Sequence, residues 1–263
     1  MAITLKSRRE IDLMRKAGVV VADVLSKLKE MAEPGITTAQ LDREALRITS
    51  QAGAKALFKG VPSPGFGGLF PGSICSSTNE QVVHGIPSET HKLKDGDILS
   101  IDFGVSLDGY CADAAVTVGI GQVAGDKRKL MEVTEHVLGI AIAESRPGVR
   151  WSYVAGRMQN YAESAGFSVV KDFVGHGIGR KMHEEPRVPN FVSDELLSDD
   201  IVLAEGMVLA VEPMINAGTD RVRTLKDGWT VVTKDGKCSA HFEHTIAVTK
   251  NGCEVLTAKG SSE

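Results

Sequence analysis

Hydrophobic residues recur at helical spacing near the start of the chain and again after residue 125. In the first segment, an apolar series follows Ser7 and Glu10, which match the capping-box pattern of a helix N-terminus. The apolar series comprises Ile11, Met14, Val21, Leu25 and Leu28. Pro34-Gly35 predicts the end of this helix, and a second helix is predicted over residues 38–51, closed by Gly53.

Both predicted helices have counterparts later in the chain. A third helix, marked by apolar residues between Leu130 and Ile140, ends before Pro147-Gly148, and a fourth is closed by Gly166. The residue pairs that end the helices recur with a constant offset of 113 residues. These pairs are Pro34-Gly35 with Pro147-Gly148, and Ala52-Gly53 with Ala165-Gly166. Four matches at one offset indicate an internal duplication.

The predicted strands repeat as well. Gly96–Asp102 resembles Gly206–Glu212, with 110 residues between the leading glycines and between the closing acids. We therefore expect one pseudo-symmetric α+β domain, with halves of about 1–120 and 121–263 that face each other across a central cleft. The Pro62–Gly72 loop is expected to form a surface lid or rim.

Asp102 and Asp113 are predicted to share one face of a β-hairpin. Two apolar strands flank Asp108-Gly109, which is a hairpin turn signal. With these two residues in the turn, Asp102 faces Ala115, and Asp113 lies two places along on the same face. Such diagonal neighbours are roughly 7–8 Å apart at Cα, which is near enough to share an ion.

Two further acids interrupt apolar segments in the second half. Glu212 lies in a strand predicted over residues 208–215, and Glu243 lies in one predicted over residues 240–248. Taken singly, each acid is better explained as a solvated or capped strand end. Four carboxylates buried together need protons or cations, and two divalent ions would neutralise them almost completely. We therefore predict a shared metal cluster.

Three histidines lie in loops where they could serve the same site. His176 stands between two glycines, which let the backbone approach another group closely. An imidazole there would complete a mixed carboxylate and imidazole site, which suits Co, Mn, Fe or Zn. His84 and His183 have similar settings, and for each of the three a hydrogen-bonded loop histidine is an equal alternative. The remaining histidines are interpreted as surface residues (His91 and His136) or as strand residues beside the cluster (His241 and His244).

Charge and cysteine usage narrow the function classes. The net charge of −4 argues against nucleic acid as the main partner. One basic cluster is interpreted as a solvated helix face, with a docking patch for an anionic partner as the weaker alternative. This basic cluster comprises Lys6, Arg8, Arg9, Arg15 and Lys16. The four cysteines form no Cys-x-x-Cys pair and charged residues precede any apolar run, so we expect a cytoplasmic protein without a membrane span.

The acids and histidines, in this order, resemble those of the methionine aminopeptidases over essentially the whole chain. The matching segments are Asn79–Pro87, Ile101–Gly104, His176–Arg180, His183–Pro186 and Val211–Pro213. The resemblance implies the "pita-bread" fold, with a central antiparallel sheet and helices packed on its outer face. It also implies two divalent metal ions, of unknown physiological identity, bound by Asp102, Asp113, His176, Glu212 and Glu243.

The resemblance further implies the reaction, which is hydrolysis of the first peptide bond of nascent proteins and peptides. This removes the N-terminal methionine and favours a small second residue. Glu212 would act as ligand and as acid and base, and His183 would stabilise the oxyanion. His84 would contact the scissile amide nitrogen or pass protons. The methionine pocket would be lined by Phe70, Cys75, Met182 and Trp229. An aromatic residue is usual at the position of Met182.

The type of enzyme follows from what the chain lacks. Only 28 residues separate His183 from Glu212, which leaves no room for the helical insertion of the second type of this family. A zinc-binding extension is also missing, so the chain resembles a bacterial-type or organellar type I enzyme. We expect a monomer that contacts the ribosome transiently and has no membrane partner and no specific nucleic-acid partner.

Three alternative functions are less consistent with the sequence. A proline-specific peptidase of the same fold, such as prolidase or aminopeptidase P, usually carries an extra N-terminal domain for which the chain has no room. A non-catalytic peptide-binding module would have lost metal ligands, whereas all five ligand positions remain. A purely structural metal site is usually closed, whereas His84 and His183 lie in open loops.

Overall fold

The computed structural model describes residues 3–63, 65 and 68–259. The helices in this part of the chain are α1 (Arg8–Met31), α2 (Thr38–Gln51), α3 (Gly125–Glu144), α4 (Trp151–Ser164) and α5 (Asp194–Ser198). The strands are β1 (Lys55–Ala56), β2 (Cys75–Thr78), β3 (Gln81–Val83), β4 (Ile98–Leu107), β5 (Tyr110–Gly119), β6 (Ser168–Val169), β7 (Gly175–Gly177), β8 (Glu184–Val188), β9 (Val208–Val211), β10 (Met214–Asn216), β11 (Val222–Thr224), β12 (Val231–Thr233), β13 (Ser239–His241), β14 (Glu243–Thr249) and β15 (Gly252–Val255).

The four long helices form where the apolar spacing predicts them. The capping box of α1 is present, since the Glu10 amide donates to the Ser7 hydroxyl and the Ser7 amide donates to the Glu10 carboxylate. Thr37 and Gln40 form the same motif at α2. All five predicted apolar positions of α1 are buried, because they form one stripe that packs on β4 and β5. The predicted helices are therefore confirmed.

The main sheet has nine strands, all paired antiparallel, along the order β1-β4-β5-β14-β9-β7-β8, with β2 paired to β4 and β15 paired to β14. Two three-stranded sheets, β13-β10-β6 and β11-β12-β3, complete the β structure. The two halves of the chain meet between β5 and β14, so the hairpin of β4 and β5 lies beside the pair of β9 and β14.

The internal duplication is visible element by element. α4 repeats α2, and β6 repeats β1, each at the offset of 113 residues. The isolated bridge between Thr37 and Lys92 in the first half has its counterpart between Arg150 and Val202 in the second. The pseudo-two-fold, duplicated fold is thus confirmed. The assignment of residues 1–263 to one catalytic domain divided near residue 120 stays a prediction.

Two strands that the sequence predicts as continuous are broken in the structure. The segment 208–215 forms β9 and β10, which are separated by Glu212 and Pro213. The segment 240–248 belongs to β13 and β14, which are separated at Phe242. Pro213 has no backbone N–H and cannot extend the ladder of β9, so the chain passes from the main sheet into a smaller one.

Apolar side chains form one large cluster in each half. The first lies between α1, α2 and the β4–β5 hairpin and includes Leu28 and Phe103, which are fully buried. The second lies between α3, α4 and the strands of the second half and includes the fully buried Trp151. Within the described ranges, no helix has the length and apolar character that crossing a membrane requires.

The basic cluster near the start of the chain is not one solvated face. Lys6 precedes α1, is only 8% exposed and forms an ion pair with Glu184. The interpretation of the cluster as a solvated helix face is therefore wrong for Lys6, because its side chain lies in the interior beside another segment. The residues of the cluster that are exposed are Arg8, Arg9 and Lys16.

Candidate metal centre and substrate cleft

Asp102 and Asp113 lie on adjacent strands in the register that the turn predicts. Asp102 of β4 pairs with Ala115 of β5, and Gly104 pairs with Asp113. Ala115 and Asp113 lie two places apart on β5, so the two acidic residues share one face of the hairpin. The predicted hairpin register is thus confirmed.

Glu212 and Glu243 lie at the break in the second half of the sheet. The pair β9–β14 and the pair β10–β13 keep one register across this break, which places Glu212 opposite Glu243. Glu243 also pairs with Ala115, the residue that faces Asp102 on its other side. Residues that pair directly across neighbouring strands share a face, so the acids of both halves converge on one face of the sheet.

His176 brings an imidazole to the same place. It lies in the middle of β7, next to β9, and its Nε2 is 3.5 Å from Oε1 of Glu212. One ligand-type atom from each of Asp113, His176 and Glu243 lies within 4.8 Å of the others. The backbone around His176 is tightly enclosed, since a Cβ at Gly175 would lie 2.4 Å from a backbone oxygen of β9. The glycine is therefore required for the close approach that the sequence predicts.

Burial and mutual repulsion control the ionisation of this cluster. Burial raises the pKa of Asp113 to about 7, and burial followed by neighbouring carboxylates raises the pKa values of Asp102, Glu212 and Glu243. One buried oxygen on each of Asp102, Asp113 and Glu243 has no hydrogen-bond partner. Burial also lowers the pKa of His176 to about 4, so its imidazole is neutral at pH 7. Unpartnered carboxylate oxygens beside a neutral imidazole fit a divalent cation, which would replace the missing partners.

A cleft of about 610 Å³ opens next to the cluster. Its apolar end is formed by the buried side chains of Phe58, Phe70, Cys75 and Trp229, with Met182 packed against them. The Phe70 and Trp229 rings meet edge to face, with 5.1 Å between their centroids. The structure therefore brings together the four residues predicted to line a pocket. Residues 64, 66 and 67 of the predicted Pro62–Gly72 lid lie outside the described residues, and the lid stays a prediction.

His84 and His183 approach the cleft from different segments. The His84 ring is edge-on to Phe173 and Trp229, at centroid distances of 5.5 and 6.1 Å. The His183 ring lies 4.3 Å from the His176 ring. Burial lowers the pKa of His84 to about 4 and lowers the pKa of His183 as well. Each neutral imidazole can donate one hydrogen bond and accept another at the mouth of the metal cluster.

Comparison with known proteins assigns this site to a family. Residues 12–250 match the model of metallopeptidase family M24. A methionine aminopeptidase of Clostridium perfringens is 50% identical over 255 residues, which cover 97% of this chain and 98% of that protein. The chain belongs to the methionine aminopeptidases of family M24. Membership makes it a metal-dependent hydrolase, and the predicted resemblance is confirmed.

Solved structures agree with this assignment. The methionine aminopeptidase of Thermotoga maritima superposes with a TM-score of 0.91 at 42% identity, covering 98% of this chain and all of that one. The prolidase of Pyrococcus horikoshii reaches a TM-score of 0.76 at 21% identity, and the match covers 97% of this chain but 64% of that one. The prolidase likeness shows a common fold alone. The pita-bread fold predicted from the resemblance is confirmed by both.

Two aromatic residues of the site are not predicted from the sequence. Phe58 follows the two-residue strand β1, which is too short to show an alternating pattern, yet a Cβ at Gly104 would touch its ring. Phe173 lies in a loop with no motif, and it contacts the His84 ring. His241, which the sequence analysis places beside the cluster, is buried with its Nε2 about 4.0 Å from Oε2 of Glu212.

Proposed function

We propose that the protein removes the N-terminal methionine from peptides and nascent proteins by metal-dependent hydrolysis of the first peptide bond. The observation that carries the proposal is the adjacency of two unlike surfaces in one cleft. A buried cluster of carboxyl groups lies at one end, and an apolar pocket built from three aromatic rings, a cysteine and a methionine lies beside it. An amino-terminal residue with a flexible apolar side chain matches both surfaces.

We further propose two divalent metal ions, with Asp102, Asp113, His176, Glu212 and Glu243 as their ligands. The unpartnered carboxylate oxygens and the neutral imidazole support this set. Four carboxylates carry enough negative charge to balance two divalent ions, and the donor types suit Co, Mn, Fe or Zn. When bound, such ions polarise a carbonyl oxygen and make water a better nucleophile near neutral pH.

The protein's own residues would then orient the substrate and move protons. Glu212 lies at the end of β9 with its carboxylate 3.5 Å from His176 Nε2. A carboxylate beside the bound water can take a proton from it and return the proton to the leaving amine. His183 would donate a hydrogen bond to the developing oxyanion, and His84 would contact the scissile amide. Both imidazoles are neutral at pH 7, so each retains an N–H for this purpose.

Specificity in the proposed reaction depends on the pocket. The Phe70 and Trp229 rings, with Cys75 and Met182, would enclose the methionine side chain, and burial of such a side chain contributes about 1.5–3 kcal/mol. A small second residue is proposed from the resemblance to the methionine aminopeptidases, of which two are 42% and 50% identical to this chain. Proline-specific cleavage is less well supported, since the prolidase likeness shows the fold alone.

The proposed setting of the reaction is the cytoplasm, where four unpaired cysteines are compatible with reducing conditions. We propose that the protein acts as a monomer on nascent chains. A transient contact with the ribosome would use the exposed basic residues at the start of α1, which are Arg8, Arg9 and Lys16.

A peptide assay tests the proposal. Metal-stripped protein is reloaded with Mn, Co, Fe or Zn and given Met-Ala-Ser, acetyl-Met-Ala-Ser or Ala-Pro-Ser. We expect methionine release from the free Met peptide only, and only with metal. Asp113→Ala should lose bound metal and roughly a hundredfold or more of the activity together, whereas Asp23→Ala, an exposed position on α1, should lose neither.

Other results of the assay would support alternative functions. Cleavage of Ala-Pro-Ser instead would indicate a proline-specific peptidase. Folded, metal-loaded protein that binds Met-Ala-Ser without cleaving it would indicate a peptide-binding module. An active, metal-free Asp113→Ala variant would contradict the metal centre itself.

A further inference from the structure

A partly buried ion pair connects the start of the chain to the loop that carries His183. The Lys6 Nζ lies 2.7 Å from Oε2 of Glu184, and the two side chains are 5% and 18% exposed. Among the described residues, no other pair of a lysine or arginine with a carboxylate has both side chains less than one-fifth exposed. The pair joins segments 178 residues apart in sequence.

Lys6 packs closely against two glycines on its way to Glu184. Its backbone amide donates to the carbonyl of Gly206 at 2.7 Å, immediately before the strand that leads to Glu212. A Cβ at Gly206 would lie 2.8 Å from the Lys6 carbonyl, and a Cβ at Gly179 would lie 2.4 Å from Lys6 Cε. Two glycines therefore leave the space through which Lys6 reaches Glu184.

Glu184 in turn determines the shape of the loop. Its Oε1 accepts a hydrogen bond from the backbone amide of Lys181 at 3.1 Å, while its Oε2 binds Lys6. Burial tends to raise the pKa of Glu184, but the hydrogen bonds from Lys6 and from the backbone lower it overall, so the carboxylate is charged at neutral pH. The charged carboxylate thus closes the turn directly before β8.

His183 lies inside this turn. It follows Met182 of the apolar pocket and precedes Glu184, and its ring lies 4.3 Å from that of His176. The other end of the loop is tied by the Cys111 amide, which donates to the carbonyl of Gly179 at 2.7 Å. At the far end, Glu184 begins β8 and pairs with Gly177 of β7. Loss of the Glu184 side-chain anchor would therefore leave only backbone pairing to hold the segment that carries His183.

The energetics favour a role in positioning over one in stability. Removing two charges from water costs solvation free energy that largely cancels the free energy of their mutual attraction. A buried ion pair therefore contributes little net stability and serves better to select one conformation. A shift of about 1 Å in a group that contacts the substrate can lower a rate by roughly a hundredfold.

We propose that Lys6 is a positioning residue for the reaction and that, through Glu184, it holds His183 at the substrate cleft. This inference rests on the proposed function, in which His183 contacts the substrate. Lys6 itself lies outside the cleft lining and touches neither the metal cluster nor the apolar pocket.

The test is a set of double-mutant cycles with the metal-loaded, full-length protein and Met-Ala-Ser. Lys6→Met removes the charge and keeps the length of the stem. We expect kcat to fall by about ten- to a hundredfold, KM to change by less than about twofold and the metal content to stay unchanged. On the His183→Ala background Lys6→Met should have almost no further effect, whereas on the His84→Ala background it should keep its full effect.

The matched control is Arg15→Met, which removes another ion pair at the start of the chain. Arg15 binds Glu254 at 2.8 Å, and both side chains are about two-fifths exposed, away from the cleft. Arg15→Met should leave kcat and KM unchanged. Hydrogen exchange provides a readout that needs no activity: amides 180–184 should exchange faster in Lys6→Met than in the wild type or in Arg15→Met.

A lower melting temperature with unchanged kcat and unchanged exchange would overturn the inference, because the pair would then be structural only. An equal effect of Lys6→Met on both histidine backgrounds would overturn it too. If Lys6→Met does not fold, Glu184→Gln, which keeps the shape of the side chain, is put through the same cycles. A wild type that releases no methionine would refute the proposed function, and the exchange experiment would still decide whether Lys6 holds the loop.

Discussion

Asp113→Asn should stabilise the metal-free protein at pH 8, although it removes a side chain from the proposed metal centre. Asp113 is almost fully buried and shares one sheet face with Asp102, Glu212 and Glu243. Burial raises its pKa from 3.8 to about 7. Without a cation, ionisation of Asp113 at high pH is therefore easier in the unfolded chain than in the folded protein, and this difference opposes folding.

The size of the effect follows from the shift in pKa. Each unit is worth about 1.4 kcal/mol, so a rise from 3.8 to about 7 corresponds to about 4 kcal/mol at pH 8, where both states are ionised. At pH 5 the penalty is only about 2 kcal/mol, because the folded carboxyl is still protonated. The ionisation of Asp113 alone should thus lower the free energy of unfolding of the metal-free protein by about 2–3 kcal/mol between pH 5 and pH 8.

The change of stability with pH has the opposite sign to that produced by a carboxylate whose pKa is lowered on folding. Because the folded pKa lies above the unfolded one, the folded state binds more protons in this range, and stability decreases as pH rises from about 4 through about 7. Asp102, Glu212 and Glu243 have pKa values raised in the same direction and add to the slope. An asparagine cannot ionise, so Asp113→Asn should be less sensitive to pH.

The assay is thermal unfolding of chelator-treated protein at pH 5, 6, 7 and 8. For a chain of this size, 2–3 kcal/mol corresponds to roughly 5–10 °C, so the wild type should melt about that much lower at pH 8 than at pH 5. Asp113→Asn should melt above the wild type at pH 8, and Asp23→Asn should follow the wild type. With saturating metal the order of wild type and Asp113→Asn should reverse, because binding stabilises only a folded state with intact ligands. A metal-free wild type that is equally or more stable at pH 8 than at pH 5 would refute this reasoning.

Two further substitutions test the packing around the site. Gly104→Ala should weaken metal binding about tenfold or more, because the new Cβ would lie 3.0 Å from Asp113 Oδ1. Metal titration measures this affinity. The control is Gly139→Ala on α3, where nothing lies within 4 Å of the new Cβ, and this variant should bind metal as the wild type does. Phe70→Ala removes the ring that packs on Trp229. It should lower kcat/KM for Met-Ala-Ser roughly ten- to hundredfold, mainly by raising KM. Unchanged kinetics would show that the methionine side chain binds elsewhere.

Much of the fold could be predicted because the signals are local. The helix ends depend on caps and on Pro-Gly pairs, and the duplication is visible as a constant spacing between them. The register of Asp102 against Ala115 depends on a two-residue turn only six residues away. The break after β9 is not predicted by the apolar pattern, because Pro213 lies within an apolar segment but has no N–H for the ladder.

The helices, the repeat and the hairpin that carries Asp102 and Asp113 can thus be predicted from the chain alone, since each depends on neighbours in sequence. The resemblance to methionine aminopeptidases indicates the other candidate ligands but not how they come together. The folded structure is needed to show that Glu212 lies opposite Glu243 and that Lys6 reaches Glu184. Such contacts depend on the order of strands in the sheet and on the path of the chain between them, which no local pattern of residues encodes.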